Sequence, residues 1–131
     1  IALLMIEEYF RGIEELLATR GFIHSWSITY DKRSSFVGFV RGEIRFVDRS
    51  VLYVREFVHA EHSPQRHTYA YHYQGPDGVL VFRYDNAPHY PELPSAPHHK
   101  HVTDLSVVPS VAPDLSSVLE EVGRLVVLGK P

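Results

Sequence analysis

Apolar residues recur at intervals of three and four near both ends of the chain and alternate with polar ones in between. In MIEEYFRGIEELLATRG (5–21), Ile6, Tyr9, Phe10, Ile13, Leu16 and Leu17 fall on one stripe, while Glu7, Glu8, Glu14 and Glu15 lie mainly off it. That spacing predicts a helix with one buried face. Arg20 and Gly21 are its stop signals. PDLSSVLEEVGRLVVL (113–128) predicts a second helix. Pro113 and Asp114 mark its start, and Leu115, Val118, Leu119, Val122, Leu125 and Val126 make its stripe.

Between the helices the period drops to two. Residues 24–31, 35–48, 51–60, 66–74 and 79–84 read as five strands, separated by turn signals such as DRS (48–50) and GPDG (75–78). Gly38 and Gly42 inside the second strand suggest a bulge or bend. His67, Tyr69, Tyr71 and Tyr73 alternate on one face of the fourth, a pattern that suits sheet packing better than base stacking. Short connections favour an antiparallel meander. The fold class is therefore α+β, one domain over residues 1–131, with the N-terminal and C-terminal helices packed on one face of a five-stranded sheet. Residues 1–4 read as an extension ahead of a start at Met5.

One stretch does not fit a core. RYDNAPHYPELPSAPHHKHV (83–102) holds four of the nine histidines and four prolines. A run of this kind between apolar segments reads as a functional loop, although histidines that cap turns in a plain surface loop account for its composition about equally well. The rest of the composition narrows the chemistry. The net charge of -3 gives no overall pull toward nucleic acid, so RNA contact would need a local basic patch. The absence of cysteine removes disulfides, thiolate catalysis and cysteine zinc sites, and suits a reducing cytoplasm. No apolar run approaches the roughly 20 residues of a membrane helix.

The candidate site follows from these residues. His89, His98, His99 and His101, with Asp85, supply groups for acid–base catalysis near neutral pH. One of His98 and His101 is the expected proton carrier. Arg83 and Lys100 are expected to hold phosphate, with Arg55 and Asn86 beside them and Glu56 in support. Such a set is sufficient for a metal-independent ribonuclease that uses the RNA 2′-hydroxyl, without being diagnostic of one. Arg83 and Asp85 point the same way along a strand and pair at their simplest. Arg55 and Glu56 point to opposite faces: Arg55 to the open face near Arg83, or Glu56 into a buried pair with Arg41 or Arg45. The spacing of the histidines matches no standard zinc signature, so no metal or cofactor is expected.

The motifs EEYFRGIEELL, ITYDKRS, VGFVRGEIRFVD, YVREFV, YAYHYQ, VFRYDNAPHYPEL and PHHKHV together resemble the TumE family of toxins from prokaryotic toxin–antitoxin pairs. The likeness runs from about Met5 into the C-terminal helix, and RYDNAPH…PHHKH is its most specific part. The family pattern has a second histidine where this chain has Tyr90, which implies that Tyr90 is not essential. The resemblance implies a cytoplasmic protein that slows growth when free and is neutralised by an antitoxin carrying a helix-turn-helix. A homodimer is compatible with it. It does not imply a biochemical activity, so two rivals stay open beside the ribonuclease: a non-catalytic inhibitor of a cellular protein and a small metal-binding domain.

Overall fold

The computed structural model describes residues 3–128 of the chain; of the proposed four-residue extension, residues 1 and 2 lie outside them. The order is α1 (Ile6–Ala18), β1 (Ile23–Lys32), β2 (Val37–Phe46), β3 (Val51–His59), β4 (Gln65–Gln74), β5 (Leu80–Asp85), β6 (His99–Val102), β7 (Val107–Pro109) and α2 (Leu115–Leu128). The strands form one sheet in chain order, each antiparallel to the next. The α+β meander is as the sequence predicts, but it has seven strands rather than five. The extra hairpin takes its first strand from the HHKH run. Apolar alternation does not build β6. Backbone pairing with β5, the His99–Asp85 contact and the Lys100–Glu121 ion pair hold it.

Both helices bury their stripes on the same face. Ile6, Phe10, Ile13 and Leu17 from α1 and Leu115, Val118, Leu119 and Val122 from α2 share one cluster with Ile44, Leu52, Tyr71, Tyr73 and Phe82 of the sheet. The helix ends are closed as their sequences suggest. The Met5 N–H donates to Glu8 Oε1 at 3.2 Å, Arg20 donates to the Leu16 carbonyl at 2.9 Å, and the Ser117 N–H donates to Asp114 Oδ1 at 2.8 Å.

Glu56 lies on this covered face, fully buried, and accepts hydrogen bonds from the Tyr9 and Tyr71 hydroxyls. It does not reach Arg41 or Arg45, which point the other way because their positions in β2 have opposite parity to Val40, the partner of Glu56. Gly38 and Gly42 mark no bulge either: the register of β2 runs unbroken through both. At Gly42 a Cβ would sit 2.1 Å from the Ser27 carbonyl oxygen and 2.6 Å from Ile28 Cα, so glycine is there to let β1 close on β2. The register slips instead at the start of β1, between Ile23 and Ser25, at the end of β4, between Tyr73 and Gln74, and in β3–β4 between Phe57 and Val58. The last of these brings His67 beside Phe57, with ring centroids 5.3 Å apart. Tyr69, Tyr71 and Tyr73 continue on the covered face, as ordinary packing requires.

Candidate functional site

Register places the open-face side chains in cross-strand rows. One runs Arg41, Arg55, Ala70, Asp85, His99 from β2 to β6, and its neighbour runs Glu43, Tyr53, His72, Arg83, His101. Ala70 is the small member of the first row, and the space above it becomes a cavity of about 510 Å³. Arg55, Arg83, Asp85, Asn86, His89, Tyr90, His99 and His101 line it. The segment after β5 forms its rim. Asn86 anchors that rim by accepting from the Tyr69 N–H and donating to the His67 carbonyl, both at 3.0 Å.

Asp85 is the hub. It is 5% exposed. Its Oδ1 accepts from the Ala87 N–H at 3.0 Å and meets His99 Nε2 at 2.8 Å. Its Oδ2 accepts from Arg83 Nε at 3.0 Å and lies 3.4 Å from His101 Nε2. A buried carboxylate is tolerable only with such compensation.

His99 is 1% exposed and meets an acceptor at each ring nitrogen: the Pro97 carbonyl at Nδ1, 3.0 Å away, and the Asp85 carboxylate at Nε2. A carbonyl can only accept, so Nδ1 carries a proton. Nε2 faces a carboxylate at hydrogen-bond distance, so a proton lies between that pair as well. The His99–Asp85 unit is thus a proton-bridged, charge-compensated base for the site. His101 stands above it, partly exposed. Burial pushes its pKa below the ordinary 6.5; Asp85 opposes this, and the charges of His99 and Arg83 add to it. An Nε2–H turned to Asp85 leaves Nδ1 as a free lone pair. Burial and then the Arg83 charge also lower His72, whose Nδ1 lies 3.3 Å from the Arg83 guanidinium.

Seven of the ten residues expected at the site line this cavity: Arg55, Arg83, Asp85, Asn86, His89, His99 and His101. Three are elsewhere. His98 stacks on Tyr69, and its Nδ1 lies at hydrogen-bond distance, 2.8 Å, from that hydroxyl; burial pushes the Tyr69 pKa up to about 12, so the phenol stays protonated. Lys100 projects to the covered face, where it pairs with Glu121 of α2 at 2.9 Å and lies over the Tyr84 ring. Glu56 is buried with the tyrosines. Tyr90, discounted on the sequence, lines the cavity and sets its ring edge-on to His99 and His101, at 4.8 and 5.9 Å. Ala70 had no chemistry to flag it; only the register reveals its part.

Asp85, His99 and His101 bring three donor atoms within 4.8 Å of one another, a set of the kind that takes a divalent cation. The surroundings fit a proton better. Arg83 already occupies Asp85 Oδ2, and Arg55 shares the cavity, so a divalent ion would add charge beside two guanidinium groups.

No helix among the described residues is long and apolar enough to cross a membrane. No curated protein and no solved structure gives a significant match. A family model described as Toxin TumE does match, over residues 13–126, a span that runs from the second half of α1 through the whole sheet into α2 and takes in every residue of the cavity. The chain belongs to the TumE toxin family.

Proposed function

We propose that this toxin arrests growth as a metal-independent endoribonuclease, and that an antitoxin bearing a helix-turn-helix neutralises it. The observation that carries the reading is one cavity holding a free imidazole, His101, two guanidinium groups, Arg55 and Arg83, and a buried Asp85–His99 pair beneath them. Cleavage needs these groups and a proton donor at the rim, His89. His101 takes the proton of an RNA 2′-hydroxyl, and the 2′-oxygen forms its bond to the adjacent phosphorus. Arg55 and Arg83 take up the charge that develops on the phosphoryl oxygens. The bond from phosphorus to the 5′-oxygen breaks, and that oxygen leaves with a proton from His89 at the rim. The products are a 2′,3′-cyclic phosphate and a free 5′-hydroxyl. Asp85 fixes the His101 ring, as a carboxylate orients the imidazole in other acid–base sites.

On this reading two of the expected roles narrow. Arg55 joins Arg83 on phosphate, because Lys100 is engaged with Glu121 on the other face. His101 is the proton carrier, because Tyr69 holds His98.

The test is cleavage of single-stranded RNA by purified protein, with growth followed in parallel after induction. Cyclic-phosphate ends formed in the presence of a chelator, and lost in His101→Ala, are the expected result. Growth arrest with RNA left intact would replace the ribonuclease by a non-catalytic inhibitor. Cleavage abolished by the chelator and restored by one divalent metal would favour the Asp85–His99–His101 donor set as a metal centre.

A further inference from the structure

Beyond the catalytic cavity, the open face of the sheet carries two features that the chemistry above touches only at Arg55. The first is electrostatic. Arg41 and Arg55 are direct register partners in β2 and β3, both exposed, and among the described residues neither has an ion-pair or hydrogen-bond partner for its guanidinium. Like charges directly opposite each other destabilise a sheet. The other arginines of the strands and the first hairpin do not stand this way: Arg33, Arg45 and Arg83 each pair with a carboxylate, and Arg66 donates to the Tyr71 hydroxyl and the Pro113 carbonyl. An unpaired couple in register is stabilised by an anion laid across it.

The second feature is aromatic. Phe39 and Phe57 stack across the same two strands, with centroids 4.6 Å apart and planes 12° apart, and Phe39 is 37% exposed. Arg33 lies over the outer ring at 4.9 Å. A concavity of about 460 Å³ lined by Arg33, Phe39, Arg41 and Arg55 meets the catalytic cavity at Arg55, which lines both.

We infer that this groove, from Arg33 and Phe39 through Arg41 and Arg55 to the Asp85–His101 cavity, is the binding track for a single-stranded RNA. Phosphates cross Arg41 and Arg55, and a base stacks on Phe39. The inference rests on the ribonuclease reading for the chemistry at its far end. Cations beside exposed aromatic rings are the combination that holds single strands without reading sequence. Four strand spacings separate β2 from β6, about 19 Å, so the track takes several nucleotides. A duplex does not fit it, because its bases are already stacked on each other and not free for Phe39. Nor does A-form geometry free a 2′-hydroxyl to attack in line at a floor as deep as Asp85 and His99.

The experiment uses the full chain carrying His101→Ala, so that RNA survives, and measures anisotropy of labelled eight-nucleotide RNA, single-stranded and as a duplex. The single strand is expected to bind at least about tenfold tighter than the duplex. Phe39→Ala or Arg41→Ala is expected to weaken it about tenfold, Phe39→Trp to retain it, and Arg124→Ala, the same charge loss on α2, to leave it unchanged. Phe39, Arg41 and Arg124 are all exposed, and thermal melting checks that each variant folds. Equal affinity for the duplex would overturn the track, as would equal weakening by Arg41→Ala and Arg124→Ala. Groove-dependent binding by a native chain that cleaves nothing would remove the ribonuclease and keep the track. Cleavage by the native chain with affinity indifferent to Phe39 and Arg41 would do the reverse.

Discussion

Asp85 and His101 are 3.4 Å apart yet differ in what each holds together, and their substitutions are expected to part accordingly. His101 is partly exposed and supports little of the fold. His101→Ala should lower RNA cleavage by about 10²- to 10⁴-fold while the urea midpoint stays near that of the natural chain. Asp85→Asn should lose activity as well and also unfold earlier, by about 3 kcal/mol, because it strips the charge that compensates buried His99 and receives Arg83. Activity lost in His101→Ala together with a collapse in stability would make His101 a structural residue. The same imidazole sets a pH dependence. Because its pKa is lowered from 6.5, the neutral base persists below pH 6.5, and the acid limb of kcat/KM should lie under that value. The stability sign agrees. His101 and His72 both favour the neutral form when folded, so their contribution is complete above pH 6.5 and is lost as pH falls through the lowered values. Melting temperature followed from pH 7.5 down to 5 should therefore fall. At this scale the sequence revealed residue types well and neighbours poorly. Asp85, His99 and His101 were legible as chemistry, whereas the parity that sends Lys100 to α2 is set by β6, a strand whose polar residues hide it.

The two features of the elements that were misread have physical causes, and each leads to a measurement. The β6–β7 hairpin turns on Asp104-Leu105-Ser106, where Asp104 Oδ1 accepts from the Ser106 N–H and hydroxyl and Leu105 has φ 71°. The Asp48-Arg49-Ser50 turn between β2 and β3 is built the same way, with Arg49 at φ 72°. The first D-x-S was legible as a turn because clear strands flank it; the second was not, because HHKH does not look like a strand. The glycines of β2 were misread for the opposite reason. Gly42 does not loosen the strand but lets it approach β1, where backbone atoms leave no room for a Cβ. Gly42→Ala should therefore destabilise by about 2 kcal/mol or more, in the range of overpacked cores, read as a lower urea midpoint at unchanged slope. Glu56 ties three elements together, since Tyr9 of α1 and Tyr71 of β4 both donate to it from β3. Glu56→Ala should cost about 3 kcal/mol by leaving the buried Tyr71 hydroxyl and the half-buried Tyr9 hydroxyl without their acceptor. Cleavage per folded molecule should not change, because Glu56 faces away from the cavity.

For the whole molecule, the helices take one face of the sheet and leave the other to solvent, and the division of charge follows from that. The chain carries -3 overall, so bulk electrostatics repels RNA weakly, yet the open face concentrates Arg33, Arg41, Arg55 and Arg83 around one track. Composition could not reveal this, because carboxylates on the helices offset the sum; only the antiparallel register places the cations together. The two levels predict different behaviour in salt. If binding were driven by diffuse attraction, a net anionic protein would hold RNA poorly at every ionic strength. If the local track governs, each neutralised phosphate releases counterions, and the logarithm of affinity should fall with the logarithm of salt by about 0.7 per contact on a single strand. Arg33 and Arg83 already pair with Asp31 and Asp85, so Arg41 and Arg55 should supply most of the slope. His101→Ala protein titrated between 50 and 200 mM salt should therefore give a slope between about -1 and -3, and Arg41→Ala should flatten it by close to one contact. A slope near zero would mean that stacking on Phe39 carries the affinity. A steep slope that Arg41→Ala leaves untouched would move the phosphate path off this face of the sheet.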